Sequence, residues 1–370
     1  MKNKFIIVVT LLIPFFLICC KQKDDNVIKI GALLSLTGNN AAQGNLAKNG
    51  ILLGVEKINE KGGINGKLIK LILEDTETST KGTINAFKKM TSANDVVAVV
   101  VTGDTEFQAV NSLAEQAKLP VIATICTGML DKGRSNWLFR YCYNEEQEDK
   151  CLMGFVKNEL GFDNMALLYP NTLFGQDFYK YSKKYIDFNN INITANIAYD
   201  FNSLDQRSDA IKIVKSNPSI ICARGFGSSL DALLRHISEL DYKGNIVGDL
   251  SLVVPSTLNN TNGIMEGAYI VASDLDIMSE NDVIKRYIVD YKKKYDLEPC
   301  FWDAIGYDSF IFICNAIKIA GTEPVEIQKA LYQIEPTDLL LGNNKFENKN
   351  DVSFDMHIFR LIDGKLVKIK

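Results

Sequence analysis

The chain has 370 residues, more than one hydrophobic core usually supports, so we expect two lobes. Its hydrophobic fraction of 46% and charged fraction of 23% exclude a disordered chain and a polytopic membrane protein. The formal net charge of −4 argues against a nucleic-acid partner, and two histidines, His236 and His357, leave little material for histidine-based catalysis or metal binding.

The N-terminal segment is typical of an export signal. Two early lysines precede an almost wholly apolar run from Phe5 to Cys20. About 16 helical residues span about 24 Å, which is short of the ~30 Å hydrocarbon core of a bilayer. Residues 17–20 resemble a bacterial lipobox, which implies removal of 1–19, lipidation of Cys20 and a polar leash over 20–26. An ordinary secretory signal and an uncleaved anchor are the alternatives.

The rest of the chain alternates apolar, β-rich runs with amphipathic stretches. Most of the runs are continuously apolar, which is typical of strands covered on both faces. The predicted strands are 27–34, 68–74, 96–102, 120–125, 165–169, 193–199, 219–223, 245–248 and 268–272. Helical patterns cover 47–58, 209–216, 230–240 and 282–294. This order predicts an α/β fold of doubly wound parallel sheets, with ligand sites beyond the carboxyl ends of the strands.

The C-terminal tail has a different pattern. Short apolar runs at 345–346, 352–361 and 366–369 are broken by polar residues and by a turn at Asp363-Gly364. The pattern predicts late strands joined by turns.

Several motifs resemble those of the periplasmic branched-chain amino acid (Leu/Ile/Val) binding proteins. They are residues 30–38 (IGALLSLTG), 58–67 (INEKGGINGK), 109–110, 119–122, Phe139-Arg140 with Gln147 downstream, Phe174-Gly175 and Gly306-Tyr307-Asp308. The second motif is specific, because its two glycine-containing pairs suit a tight turn with positive φ. Ser35 departs from the proline usual in the family, a change that we expect to matter little to function.

The resemblance covers nearly all of 27–370 and implies the type I periplasmic-binding-protein fold. In that fold, two doubly wound parallel-sheet lobes are joined by three crossovers and close on a ligand. The resemblance places 27–142 and 273–335 in lobe I, and 143–272 and 336–370 in lobe II.

The resemblance also implies ligand-binding residues in lobe I. A hydroxyl residue after strand 96–102 usually holds the ligand carboxylate, and Thr105 offers that hydroxyl here. Cys126 and Thr127 match the family's pair that offers backbone groups and a hydroxyl after the next strand. Alternatively, Thr127 caps a helix that begins near Met129. Gln43 stands where the family often has an aromatic residue.

Lobe II is expected to supply aromatic and acidic groups. Phe174 and Phe226 match aromatic wall positions, with plain core packing as the alternative. Asp249, or its neighbour Leu250, matches the acidic residue that takes the ligand ammonium.

Asp104 and Glu106 depart from the family pattern. A carboxylate beside a bound carboxylate would be repelled by several kcal/mol at an effective dielectric constant of about 20. Either these side chains point to solvent, or the ligand lacks a plain α-carboxylate there or carries extra positive charge. Alternatively, they cap a helix that begins near Phe107 and interact with its dipole. Acidic residues at 145, 146, 148 and 149 admit a metal interpretation, although a helix's first turn commonly carries such residues.

Taken with the resemblance, these features predict an extracytoplasmic, lipid-anchored solute-binding protein. It captures an amino acid or amide and delivers it to an ABC permease in the inner membrane, as a monomer with no enzymatic activity, cofactor, bound metal or nucleic-acid partner. A sensor of the same fold is the first alternative. A dinucleotide-dependent oxidoreductase is a distant one, because Leu230 interrupts the fingerprint that begins at Gly225. Of the six cysteines beyond Cys20, Cys142 and Cys151, or Cys126 with either, could pair in an oxidising compartment, whereas Cys222 and Cys314 lie in apolar runs typical of buried thiols. The sequence does not establish the connectivity.

Overall fold

The computed structural model describes residues 26–127, 133–273, 275, 280–342, 344–346 and 350–370. The strands are β1 (Val27–Leu34), β2 (Leu68–Asp75), β3 (Val96–Thr102), β4 (Val121–Thr124), β5 (Leu138–Arg140), β6 (Asn164–Pro170), β7 (Asn192–Tyr199), β8 (Ile220–Ala223), β9 (Asn245–Asp249), β10 (Tyr269–Ala272), β11 (His357–Ile362) and β12 (Lys365–Lys368).

Helices follow most of these strands. They are α1 (Ala41–Glu60), α2 (Thr80–Ala93), α3 (Asp104–Ala117), α4 (Glu145–Asn158), α5 (Leu173–Phe188), α6 (Arg207–Lys215), α7 (Gly227–Glu239), α8 (Pro255–Asn260), α9 (Asp282–Tyr295), α10 (Phe301–Ala320) and α11 (Pro324–Leu331). A 3-10 turn, Leu250–Val253, follows β9.

Lobe I contains a five-stranded sheet in the order β2-β1-β3-β4-β5, with every pair parallel. Its central strand β3 reads VVAVVVT and is almost wholly buried, because helices cover both faces of the sheet. The late helices α9, α10 and α11 return to this lobe, and α10 packs along α1. That packing is close: a Cβ on Gly50 of α1 would lie 1.9 Å from the Asp303 carbonyl oxygen of α10.

Lobe II contains a seven-stranded sheet in the order β12-β11-β10-β9-β8-β6-β7. Strands β6 to β10 pair in parallel, whereas β11 and β12 add two antiparallel strands at one edge. Helices α4 and α5 pack together in this lobe, as do α6, α7 and α8. The predicted α/β architecture of two doubly wound lobes is therefore confirmed.

The predicted elements agree closely with the observed ones. Each of the nine predicted parallel strands is present within one residue of its predicted bounds, and the four helical patterns correspond to α1, α6, α7 and α9. The three-residue strand β5 was not predicted. In the tail, the predicted strand at 345–346 is wrong, and the run 352–361 becomes a strand only from His357 onward.

The chain passes between the lobes three times, before α4, after β10 and between α11 and β11. Near the third passage, Asp308 of α10 accepts hydrogen bonds from the backbone N–H groups of Leu340 and Leu341 at 2.8 and 2.9 Å. Phe346 packs against Phe139 and Phe312, both of lobe I, with ring centroids 4.9 and 4.6 Å away. Asp351 also pairs with Arg134 and Arg140 of lobe I, and we therefore propose that this crossover begins after Asp351 rather than at residue 336.

The six cysteines among the described residues, at positions 126, 142, 151, 222, 300 and 314, are free thiols. Within the same part of the chain, no single helix is long and apolar enough to cross a membrane. Helices α10 and α11 meet that test as a pair, which is bent by 113°.

Candidate functional site

A cavity of about 340 Å³ lies between the two lobes, beyond the carboxyl ends of their parallel strands. Doubly wound sheets place ligand sites at this edge. Lobe I reaches the cavity through the segments that follow β1, β2, β3 and β4. Lobe II reaches it through the segments that follow β6, β7, β8 and β9.

Seven of the eight predicted ligand residues line this cavity: Gln43, Asp104, Thr105, Thr127, Phe174, Phe226 and Asp249. The eighth, Cys126, is fully buried and is not among the described residues that line it. Asp249 and Leu250 were both considered for the contact with the ligand ammonium. Asp249 lines the cavity, whereas Leu250 is buried beside it. The structure thus brings the set together, and contact with a ligand stays a prediction.

On the lobe I side, the loop after β3 turns into α3 through Gly103, which has a φ of 101°. Helix α3 begins at Asp104, three residues earlier than predicted, and has Asp104 and Glu106 in its first turn. Carboxylates in a first turn interact favourably with the helix dipole. Asp104 is half-buried and Thr105 is exposed.

Glu106 does not point to solvent, so that part of the prediction is wrong. Its side chain is buried, and Oε1 accepts hydrogen bonds from the hydroxyls of Ser35 and Thr76, each at 2.9 Å. Burial raises the pKa of Glu106, while the two hydroxyl donors act in the opposite direction. The Ser35 N–H also donates to Thr102 Oγ1 at 3.0 Å, a bond that proline could not make. Ser35 is therefore a member of this network, and the expectation that its change matters little to function stays a prediction.

Thr127 connects the lobe I wall to α4 of lobe II. Its hydroxyl donates to Glu145 Oε1 at 2.6 Å, and its carbonyl oxygen accepts from the Glu145 N–H at 3.2 Å. The helix considered near Met129 lies outside the described residues. The Thr127 hydroxyl is thus already used as a donor, and it keeps acceptor capacity toward the cavity.

Aromatic rings form the apolar part of the cavity wall. Phe226 lies between Phe174 and Phe201, with ring centroids 6.0 and 5.2 Å away. Trp302 of α10 faces the same cavity from lobe I. Phe201 was not predicted from the sequence. It comes two residues after β7, so, like the other lining loop residues, it lies beyond the carboxyl end of a parallel strand.

A buried cluster of charged groups, hereafter the acidic cluster, lies where α4 meets the loops after β8 and β9. It consists of the carboxyl groups of Glu145, Glu148, Asp149 and Asp249 around the guanidinium of Arg224. Helix α4 begins with a capping box, in which the Asn144 and Gln147 side chains and backbone N–H groups bond reciprocally. The cap orients the helix so that the three α4 carboxyl groups face inward with no exposed surface.

Arg224 forms ion pairs with the carboxyl groups at unequal distances. Its side chain is fully buried, with Nη1 3.0 Å from Asp249 Oδ2 and Nη2 3.2 Å from Asp149 Oδ1. Glu148 Oε1 is farther away, 3.6 Å from Nη1. The guanidinium also lies over the Phe178 ring at 5.2 Å. Asp249, predicted to take a ligand ammonium, is therefore already paired with an internal cation.

Burial dominates the protonation of this cluster. It raises the pKa of Glu145 to about 8 and that of Asp149 to about 6, and it raises the pKa of Glu148 well above the usual range. Arg224 opposes each of these shifts, and the neighbouring carboxyl groups reinforce them. Among the described residues, no group of three or more His, Cys, Asp or Glu side chains is arranged to hold a metal ion.

The acidic residues were evident in the sequence, but neither their role nor Arg224 was predicted. The spacing of Glu145, Glu148 and Asp149 places them on one helical face, which could have indicated an inward-facing set. A charged residue immediately after a fully buried strand, as Arg224 follows β8, was the second signal.

Known periplasmic binding proteins match nearly the whole chain. The family model described as "Periplasmic binding protein" matches residues 27–365. A Leu/Ile/Val-binding protein homolog from Brucella suis is 22% identical, over 92% of this chain and 91% of its own length.

Solved structures share the fold at low sequence identity. The branched-chain amino acid transporter substrate binding protein of Streptococcus pneumoniae, in complex with isoleucine, matches with a TM-score of 0.85 at 21% identity. That match covers 93% of this chain and 100% of the other. A solute binding protein of an ABC transporter from Rhodopseudomonas palustris, in complex with 3,4-dihydroxy benzoic acid, has a TM-score of 0.81 at 19% identity. It covers 93% of this chain and 97% of the other.

These matches define the fold and leave the ligand open. The two solved relatives carry an amino acid and an aromatic acid in the same architecture. Ligand identity must therefore be argued from the side chains that line the cavity of this chain.

Proposed function

This chain belongs to the periplasmic binding protein family, whose members are extracytoplasmic solute-binding proteins and not enzymes, and we propose that it captures an amino acid or amide between its lobes. We propose further that it delivers this ligand to an ABC permease, and that a lipid on Cys20 holds it at the membrane. Relatives whose names place them in transporters, one of them an ABC transporter, support the delivery role.

The composition of the cavity wall is the observation that carries the ligand class. Lobe I presents hydroxyls, the amide of Gln43 and the N-terminus of α3, all of which can hold the polar end of a small molecule. Lobe II presents three phenylalanines and buried carboxyl groups, which suit an apolar chain and a positive group. The volume of about 340 Å³ is at the small end of the usual range for ligand sites.

Ligand capture is tested with a thermal-shift panel on the full chain, purified in mild detergent. Ligand at 100 times its dissociation constant should stabilise the folded state by about 2.7 kcal/mol. We expect at least one amino acid, amide or amine to raise the melting temperature. If no member of the panel does so, and mass spectrometry of the denatured, freshly purified protein finds no such molecule, the proposed capture role is wrong.

Delivery is tested in cells that lack the gene, with uptake of the radiolabelled ligand found by the panel. Uptake should fall in the deletion strain and return when the gene is restored. Unchanged uptake would contradict delivery and favour a sensor. Replacing Cys20 with alanine should release the protein from membranes into the soluble fraction of the envelope, and continued membrane association would contradict the anchor.

A further inference from the structure

The charged residues that line the cavity are of one sign. Asp104, Glu106, Glu148 and Asp249 carry carboxyl groups, and the described lining residues include no lysine, arginine or histidine. A site for a neutral zwitterion would be expected to balance the carboxyl groups of the protein with at least one cationic side chain, whereas the donors among the described lining residues are neutral groups such as hydroxyls and amides. The electrostatic potential of this cavity therefore favours a ligand with net positive charge.

The carboxyl groups of Glu106 and Asp249 are satisfied by contacts within the protein. Glu106 accepts bonds from the hydroxyls of Ser35 and Thr76. Asp249 pairs with Arg224 at 3.0 Å and accepts from the Ser251 N–H at 2.8 Å. Their lining positions alone thus do not indicate a ligand contact.

Glu148 differs from both. It has no exposed surface, it lines the cavity, and neither of its carboxyl oxygens accepts a hydrogen bond from any residue that the structure describes. Its contact with Arg224 is long, at 3.6 Å, because the same Nη1 atom lies closer to Asp249. A buried carboxyl group without donors is unfavourable unless a polar or charged partner reaches it.

The carboxyl groups around Glu148 make a positively charged partner more favourable. Glu145, Glu148, Asp149 and Asp249 share the single guanidinium of Arg224, so the acidic cluster has a formal charge of −3 when every member is ionised. The Oε2 atom of Glu145 also has no hydrogen-bond partner among the described residues. One added cationic group would leave the cluster closer to neutrality than Arg224 alone.

The cation that fits is organic rather than metallic. No group of three or more possible ligand side chains in the described part of the chain is arranged for a metal ion. Phe174, Phe201, Phe226 and Trp302 line the same cavity, and aromatic faces attract ammonium and guanidinium groups. The cavity of about 340 Å³ also has room for a carbon chain attached to such a group.

We infer that the ligand is a basic amino acid or an amine of similar size, whose ammonium or guanidinium group pairs with Glu148. This inference deepens the proposed function and rests on it, because it names the class of small molecule that the interlobe cavity takes. Glu148 then sets specificity through a direct contact, and Arg224 holds the remaining carboxyl groups of the cluster in place.

The test compares ligand pairs that differ in charge and little in shape. Calorimetric titration of the full chain in mild detergent, dialysed extensively beforehand, uses arginine against citrulline, and lysine against norleucine. Agmatine, putrescine, leucine and glutamine complete the panel. We expect each cationic member of a pair to bind at least about tenfold more tightly than its neutral partner, the difference that one well-placed ion pair of about 1.4 kcal/mol produces.

Two variants then assign the preference to one side chain. Glu148→Gln should reduce the charge preference to less than about threefold. Glu146→Gln, two residues earlier on the exposed face of α4, should keep it. Circular dichroism checks that both variants fold, and if Glu148→Gln does not, the wild-type ligand pairs still decide the charge class.

The outcomes separate the two levels of the proposal. Equal or tighter binding of citrulline, norleucine, leucine or glutamine overturns the cationic ligand and leaves capture of an amino acid or amide standing. A charge preference that survives in Glu148→Gln overturns the role of Glu148. Failure of the whole panel to bind overturns this inference, and the thermal-shift panel together with mass spectrometry of the bound ligand then decides the proposed function.

Discussion

The two walls of the interlobe cavity differ in whether hydrogen-bond donors satisfy their buried carboxyl groups. In lobe I, the Glu106 carboxyl is enclosed by hydroxyl donors from Ser35 and Thr76. In lobe II, the acidic cluster gathers four carboxyl groups around Arg224 and leaves both oxygens of Glu148 without a donor among the described residues. The buried Glu106 carboxyl thus bonds within the lobe I loops, whereas we propose that lobe II offers its unsatisfied carboxyl group to the ligand.

Removing the guanidinium should produce the largest effect. Arg224→Met leaves four buried carboxyl groups without their internal cation, and breaking a buried ion pair typically costs about 3–5 kcal/mol. We expect a loss of that size in the free energy of unfolding at pH 7, measured by urea denaturation. Arg235→Met, on the exposed surface of α7, is the control and should change it by less than about 1 kcal/mol.

The same variant should respond to pH in a defined direction. The pKa values of Glu145, Glu148 and Asp149 are raised in the folded state, so the folded protein binds more protons than the unfolded chain above about pH 4. Stability therefore rises as pH falls from 8 toward 5, and more steeply without Arg224. A destabilisation that is equal at pH 8 and pH 5 would show that the cluster's charge is not its cause.

Affinity for a cationic ligand should rise with pH in the wild type. The groups around Glu148 are Glu145 and Asp149 on α4, Arg224 after β8, Asp249 at the end of β9 and the buried hydroxyl of Tyr143. With Glu145 at a pKa of about 8, a bound cation favours the ionised carboxyl groups and releases protons.

The pH effect is measured by calorimetry with arginine at pH 6 and pH 8, in two buffers of different ionisation enthalpy. We expect affinity to increase by up to about tenfold per pH unit for each proton released, together with a buffer-dependent binding enthalpy. An affinity that falls over this range, or binding without proton release, would contradict an ionised Glu148 as the partner.

The lobe I wall predicts a smaller and different effect. Ser35→Ala removes one hydroxyl donor from buried Glu106, which typically costs about 1–3 kcal/mol of stability. Since the network is internal, the preference for cationic over neutral ligands should stay as in the wild type. Loss of that preference in Ser35→Ala would show that lobe I also sets the charge specificity.

Thr127 joins the two walls and should give the smallest effect. Thr127→Ala removes the donor to Glu145 Oε1, so we expect the protein to fold and to bind ligand several-fold more weakly. Thr127→Ser keeps the hydroxyl and should restore affinity. Unchanged affinity of Thr127→Ala in a calorimetric titration would remove Thr127 from the site.

The parallel sheets could be predicted from the sequence because strands that are buried on both faces consist of continuous apolar runs. Strand β3 shows this pattern directly, whereas the three residues of β5 are too few to form such a run. Seven of the lining residues could also be predicted, since they match a family pattern and most of them follow the carboxyl ends of strands.

The acidic cluster could not be predicted in the same way. Its members come from α4, the loop after β8 and the end of β9, and their contacts depend on how these elements pack. Periodicity shows that Glu145, Glu148 and Asp149 share a helical face, but not that the face turns inward onto Arg224. The role of Ser35 was missed for a similar reason, because its partners Thr76 and Glu106 are distant in the chain.

The most direct test of the contrast between the walls is a calorimetric titration of arginine into the wild type, Glu148→Gln and Glu106→Gln. The account predicts that Glu148→Gln loses at least about tenfold in affinity, and that this loss is at least about five times the loss in Glu106→Gln. Equal losses in the two variants, or a larger loss in Glu106→Gln, would contradict it.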